Sequence, residues 1–389
     1  MLRTFLAAAG VLAAVCAAPL LGAEIEVAPL VKTIQGVGPK GEGNVAAGKA
    51  WRTLSQADVS QLPEILAGFD DAGPLAVNYL RAAVDTIAES AHKKGEQLPL
   101  AALNAFLADR NHAPRARRAA FEWIVRVNPA AEAELIPSML DDPSLELRRE
   151  AVAHKLEEAK ALADAKNEEA ATAAYRAAMT AARDLDQIKL ADKALEDRGI
   201  EVDLPAHFGF IQRWQLIGPF DNTDKAGFAV AYPPENEFLA DAEYAGKAGN
   251  VSWKSHTEVD DYGLVDLNKV VGKHMGAIVY ARAEFIADEA RPVDVRLGCI
   301  NANKVWLNGE LLTANEVYHA NRSVDQYVGE GRLKKGKNVI LVKICQNEQT
   351  ENWAQDWQFQ LRVCDKFGTA VLSQDRPLKR TAALDRLLR

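Results

Sequence analysis

Reactive and metal-binding residues are sparse in this chain. Four cysteines are spread over 389 positions with no C-x-x-C pair, so a structural zinc site is unsupported. Seven histidines are scattered, and no two of them stand as in H-E-x-x-H. No G-x-S-x-G elbow is present. Positive charge is also in deficit, Lys+Arg 46 against Asp+Glu 54, for a net charge of −8. A nucleic-acid partner calls for a basic patch or stripe, so this balance argues against one. Acidic pairs such as Asp260-Asp261 are adjacent, and in extended chain their side chains point apart. A glycosidase needs two carboxyls roughly 5–10 Å apart across a cleft, usually from distant segments. With no catalytic constellation proposed by the residues, the expectation is a non-catalytic protein that needs no cofactor.

What is present divides along the chain. At 389 residues the chain predicts two or more domains, because single cores stop growing beyond roughly 250–300 residues. Residues 1–23 read as a signal peptide: Arg3 supplies the positive start, Phe5 to Leu21 is apolar, and Leu21-Gly22-Ala23 offers a cleavage site before Glu24. The expectation is export to the periplasm or beyond the cell, with no membrane span after cleavage; the alternative is a retained N-terminal anchor. Cleavage removes Cys16 and leaves Cys299, Cys345 and Cys364. Cys299 falls on a core-facing phase and reads as a small buried hydrophobe. Cys345 and Cys364 read as lying on the two strands of one hairpin. A loop centred near residue 351 sets Cys345 opposite about residue 357, so a disulfide between them is not favoured.

Residues 24–50 carry Gly36, Gly38, Gly41, Gly43, Gly48 and Pro39, which predicts a flexible linker. Gly43 to Lys49 fits the first part of a phosphate-binding loop. However, Ala50 stands where Ser or Thr should hold Mg²⁺, and no strand precedes it. From 51 to 200 the chain is helical. Leu145, Val152, Leu156, Ala159 and Ala163 form one apolar stripe at 3.6 spacing. Gly73-Pro74, His112-Ala113-Pro114, Asn128-Pro129 and Asp141-Asp142-Pro143-Ser144 mark turns or helix starts. Arg81-Ala82-Ala83, Arg118-Ala119-Ala120 and Arg149-Glu150-Ala151 recur early in successive helices, and Arg117-Arg118 aligns with Arg148-Arg149. The repeat predicts stacked helical pairs. These arginines form either a charged ridge for a protein partner or an internal ladder, with Arg118 or Arg149 bonded to a turn carboxylate or carbonyl.

The segment LDDPSLELRREAVAHKL resembles a HEAT repeat, with acidic residues and Pro at the turn, then Arg, then Ala-Val. That resemblance covers about residues 55–160 and implies an α-solenoid. Residues 165–198 have the rhythm of a TPR pair without its Trp and Gly.

Residues 205–375 change period. Val293, Val295, Leu297 and Cys299 alternate with polar residues, as do Val279, Ala281, Ala283 and Phe285, and again Trp357, Phe359, Leu361 and Val363. Asn308-Gly309 is a type I′ hairpin signal, and Gly336 marks a further turn. The reading is an antiparallel β-sandwich, with Trp214, Trp253 and Trp306 in packing roles and a long irregular stretch from 222 to 252 wrapping it. A short tail follows at 376–389. The fold class is therefore α + β multidomain, an N-terminal α-solenoid followed by a jelly roll. WQLIGPFDN, YARAEF, VWLNGELL, LKKGKNVILVKI and WQFQLRV are similar to the galactose-binding-like jelly roll, the sugar-binding sandwich attached to family 2 glycoside hydrolases. Their order after a signal peptide and HEAT-like helices resembles a set of secreted bacterial proteins. The resemblance implies binding or scaffolding, and fold alone does not assign a ligand.

Within the sandwich the loop 346–356 is long, polar and carries one Trp. Trp353 as an aromatic platform, with Asn347, Asn352 and Asp356 as hydrogen-bonding groups, has the composition of a sugar site. Tyr318, Asn321 and Arg322 in a second loop stand as neighbours to it. In the other reading Trp353 and Tyr318 plug the end of the sandwich. Asp221, Asn222 and Asp224 offer oxygens for a structural Ca²⁺ but fall short of the six to eight it takes. Two functions follow as expectations: an exported non-catalytic adaptor whose jelly roll binds polysaccharide or another glycan or packs as a structural module, and a scaffold that holds a protein partner on the solenoid with a purely structural β-sandwich.

Overall fold

The computed structural model describes residues 25–377. The expected signal peptide and nearly all of the expected tail lie outside the described residues. These fall into two compact units, one ending at Leu147 and the other starting at Arg148. Helices come first and antiparallel sheets follow, an α + β multidomain chain.

The first unit contains α1 (Val27–Gln35), α2 (Asn44–Leu54), α3 (Leu62–Ala67), α4 (Pro74–Lys94), α5 (Leu100–Ala108), α6 (Pro114–Val127) and α7 (Ala131–Leu135), with α8 (Leu145–Asp164) starting at its end. α1 and α2 occupy the stretch where glycines predict a flexible linker. Gly41 and Gly43 take positive φ, 87° and 73°, and form the turn between the two helices. On either side the apolar residues keep helical spacing, so Val27, Val31 and Ile34 of α1 and Ala47, Ala50 and Leu54 of α2 are buried. Gly43 is thus the left-handed start of a helix that follows another helix, which is not the strand–loop–helix of a phosphate site. α4 and α6 each begin on proline, where the missing N–H has no intrahelical acceptor to lose.

The arginine repeat is mostly an internal ladder. Arg117 takes the turn carboxylate of Asp142. Arg118 bonds Glu122 one helical turn on, at 2.8 Å, and Arg81 reaches the same Glu122. Asp70, in the turn before α4, accepts from His112 Nδ1 at 2.8 Å and from the Ala113 N–H at 2.6 Å, which fixes the start of α6.

The second unit continues with α9 (Glu168–Ala181), α10 (Leu185–Glu196) and the short α11 (Leu204–Phe208). Arg149 binds Asp184 and Asp186 at the α9–α10 turn, as the ladder reading expects. The strands are β1 (Arg213–Asp221), β2 (Glu243–Gly246), β3 (Gly249–Ser252), β4 (Lys254–Thr257), β5 (Val265–Asp266), β6 (Ala277–Ala287), β7 (Arg291–Cys299), β8 (Ala302–Leu307), β9 (Glu310–Asn315), β10 (Tyr327–Leu333), β11 (Gly336–Gln346) and β12 (Gln358–Cys364), with α12 (Leu267–Val270) after β5. β4-β1-β6-β11-β8-β9 form one sheet, β10-β7-β12-β5 a second, and β2-β3 a small hairpin.

The two large sheets enclose one core. Trp214, Val279, Phe285 and Val342 come from the first sheet, and Val295, Leu297, Phe359 and Leu361 from the second. Each such side chain contributes about 1.5–3 kcal/mol over its exposed state. The period-2 reading of these strands holds. β6 and β11 are also covered on their other face, where Phe220, Tyr280 and Cys345 pack under the wrapping segment around Tyr232 and Trp253. At the Asn308-Gly309 turn both residues have positive φ, 54° and 86°, as a type I′ hairpin requires.

One pairing differs from expectation. β11 and β12 do not form a hairpin. β11 pairs with β6 and β8, and β12 with β7 and β5, so the loop between them crosses from one sheet to the other. Alternation shows which face of a strand is buried but not which sheet holds it. Cys345 and Cys364 accordingly lie in different sheets, and Cys299, Cys345 and Cys364 are all free and buried.

Candidate functional site

The crossing loop has a buried polar base. Gln346, Asn301, Asn303 and Asn347 are almost wholly removed from solvent. Gln346 Nε2 donates to the carbonyls of Ala354 at 3.1 Å and Asp356 at 3.3 Å, and its Oε1 accepts from Asn301 Nδ2 at 3.1 Å. Asn301 Oδ1 accepts from the Gln358 N–H that opens β12. An unpaired amide here would cost about 1–3 kcal/mol, so this network fixes the loop's shape.

Above that base, a short 3₁₀ turn at Asn352–Ala354 buries Ala354 and leaves Trp353 outside, 64% exposed. The plug reading of Trp353 is therefore overturned. The indole meets His319 edge-on, with ring centroids 5.2 Å apart and planes at 84°. His319 takes a positive φ of 57° and is tied through Nε2 to Asn347 Oδ1 at 3.0 Å. One face of Trp353 is thus set by a neighbouring ring that the protein holds in place.

The other sequence-selected residues divide into two groups. Asn347 is 2% exposed and spends its amide on Gln349 and His319, so it shapes the loop and has no free arm for a ligand. Tyr318 is half-buried, its hydroxyl accepting from Asn222 Nδ2 at 3.1 Å, and burial pushes the phenol up to about 12. It serves as packing, as the plug reading has it. Arg322 donates to Gln358 Oε1 at 2.7 Å, while Asn321, Asn352 and Asp356 are exposed. His319 was not singled out from the sequence, and no local pattern there marks it, because its role depends on a loop 28 residues away.

The oxygens considered for Ca²⁺ do not converge. Lys247 Nζ sits among them, 3.0 Å from Asp221 Oδ1, 3.2 Å from Thr223 Oγ1 and 2.5 Å from the Gly276 carbonyl. The Thr223 hydroxyl first, and Lys247 next, hold the Asp221 carboxyl below its usual range. Asn222 turns its NH₂ to Tyr318 and to the Gln346 carbonyl, and Asp224 uses its backbone N–H on Glu348. Among the described residues no group of three or more His, Cys, Asp or Glu is placed to hold a metal.

In the first unit, a groove of about 680 Å³ runs between α4 and α6. Its charges are paired internally: Arg81 with Asp85 and Glu122, and Arg126 with Glu89. Trp123 Nε1 donates to Asp85 at 2.8 Å.

No family model matches this chain, and no curated protein matches it. Among solved structures it is similar to a β-glucosidase from Kluyveromyces marxianus in complex with glucose, at 15% identity and a TM-score of 0.25 over 39% of this chain and 16% of that one. An anti-sigma factor domain-containing protein from Clostridium clariflavum aligns at 11% identity and a TM-score of 0.24, over 44% of this chain and 50% of that one. An uncultured Clostridium sp. β-glucuronidase aligns at 14% identity and a TM-score of 0.23, over 40% of this chain and 29% of that one. The chain spans half or less of each of these proteins. At that level of similarity, any functional reading rests on the chain's own residues.

Proposed function

We propose that this chain is an exported, non-catalytic binding protein whose β-sandwich holds a glycan against Trp353. The exposed indole, held edge-on by His319 over a fixed polar base, carries the reading. A large apolar face with a few polar groups around it is what a sugar ring's C–H face requires, and Asn352 and Asp356 are the exposed polar groups beside it in sequence. Pre-organisation by the Gln346–Asn301 network spares the ordering cost of a mobile loop. The test is affinity electrophoresis of the full chain through gels carrying neutral polysaccharides. Retardation by at least one of them, lost in Trp353→Ala, supports the site. Retardation that survives the substitution contradicts it.

A second reading, a scaffold for a protein partner, draws on the groove between α4 and α6 in the first unit. It requires that substitutions at Lys93 and Arg126 on that groove, and none at Trp353, abolish capture of a partner from the periplasm or culture medium.

A further inference from the structure

On the outer face of the six-stranded sheet lies a cleft of about 390 Å³ that the Trp353 loop does not reach. Ser255 of β4, Gln215 of β1 and Arg282 of β6 stand in one cross-strand row along its floor. Phe238, from the segment that wraps the sheet, closes one side.

Arg282 is only 7% exposed, yet it makes one hydrogen bond, Nη2 to Glu284 Oε1 at 3.0 Å. Four of its five guanidinium N–H donors have no acceptor among the described residues. The Phe238 ring lies 3.7 Å from the guanidinium carbon and is braced edge-on by Trp253 at 5.2 Å. Stacking fixes the plane of the fork without using a donor. Glu284 cannot neutralise Arg282 alone, because Lys337 Nζ claims the same oxygen at 2.6 Å. Arg213 adds a further cation at the rim, donating to the Asp375 carbonyl. Among the residues lining the cleft, Arg213 and Arg282 stand against Glu284 and Asp375, and Lys337 draws on Glu284 from outside the lining. Beside it, Gln215 and Ser255 bond each other at 3.0 Å and present an amide and a hydroxyl to solvent.

We infer that this cleft binds an acidic saccharide. Its carboxylate takes the free edge of Arg282, its hydroxyls meet Gln215 and Ser255, and its ring lies by Phe238. A planar fork held by stacking suits a carboxylate, and charge-assisted bonds are the stronger kind. The amide–hydroxyl pair beside it favours a sugar acid over a bare peptide terminus. This site is independent of Trp353.

Calorimetry on the full chain tests it with three probes: trigalacturonate, its methyl ester, and N-acetyl-trialanine with a free carboxylate. Trigalacturonate should bind, the ester about tenfold or more weaker, and the peptide weaker still. Added salt should weaken the acid and leave the ester unchanged. Arg282→Gln should lose the acid–ester difference, Glu284→Gln should tighten the acid, and the acid–ester difference should persist in Trp353→Ala, which removes the other glycan site. Should Arg282→Gln unfold, the acid–ester comparison on the unmodified chain and the weakening expected in Gln215→Ala still decide. Equal binding of acid and ester, a peptide that binds as tightly as the saccharide, or no binding of trigalacturonate overturns the inference.

Discussion

Arg117 and Asp142 form a two-point ion pair, Nη1 to Oδ1 at 2.6 Å and Nη2 to Oδ2 at 2.8 Å, with both side chains 2% exposed. Arg117 Nε also reaches the Leu107 carbonyl at 2.8 Å, and Asp142 caps the Ser144 N–H. One guanidinium thus ties α6 to the end of α5 and to the turn before α8. Removing one partner leaves a buried charge uncompensated, so Arg117→Ala should cost about 3–5 kcal/mol in urea unfolding. Arg118→Ala, at its more exposed neighbour bonded to Glu122, should cost about 1 kcal/mol or less. Equal costs at the two positions would contradict the ladder.

A pH dependence follows from His207. Burial first, and the positive charge of Arg183 next, push its imidazole down from 6.5 to about 4. The unfolded chain takes up this proton near pH 6.5 and the folded chain resists it until about pH 4. The associated stability is therefore complete above about pH 6.5 and is lost as pH falls towards 4, by roughly 2 kcal/mol allowing for partial solvent access. Asp186, held at about 2 by Arg149, titrates in a lower window. Thermal unfolding from pH 7 to 4 should show this limb, and His207→Gln should flatten it. An unchanged slope in the variant would remove His207 as its source.

The three described cysteines should be silent towards thiol reagents in the folded protein. Burial pushes Cys299 and Cys345 up to about 12 and Cys364 to about 11, leaving almost no thiolate at pH 8. In a Cys16→Ser background, Ellman's reagent should register none of them natively and three after guanidinium. A single thiol after denaturation without reductant would mean a disulfide, against the three free cysteines of the fold: Cys345 lies in the other sheet, and Cys364 pairs with Asp294, five residues along β7 from Cys299.

How much of this was legible in sequence varies with the range of the interaction. The faces of β6, β7 and β12 follow from period-2 alternation, a property of neighbouring residues. The Asn308-Gly309 turn is local in the same way. The β11–β12 hairpin was misread because sheet membership depends on partners such as β8 and β7, not on the strands' own residues. The glycines of 36–48 suggested a linker because composition does not distinguish a glycine that makes a turn from one that loosens the chain. The pairing in Arg117-Arg118 needed the helix phase, which buries the first residue fully and the second only in part. Trp353 was legible as an aromatic in a polar loop, whereas its His319 neighbour was not. The Phe238–Arg282 stack joins residues 44 positions apart through an irregular segment, and no spacing rule reaches it.

The central claim, that Trp353 is the platform of a glycan site, is tested most directly by calorimetry with the neutral polysaccharide that retards the chain most, on the unmodified protein, Trp353→Phe and Trp353→Ala. Losing the buried face of an indole is worth about 1.5–3 kcal/mol. Trp353→Ala should therefore weaken binding by about tenfold or more, with Trp353→Phe between the two and all three melting alike. Equal affinity in all three proteins would contradict the claim.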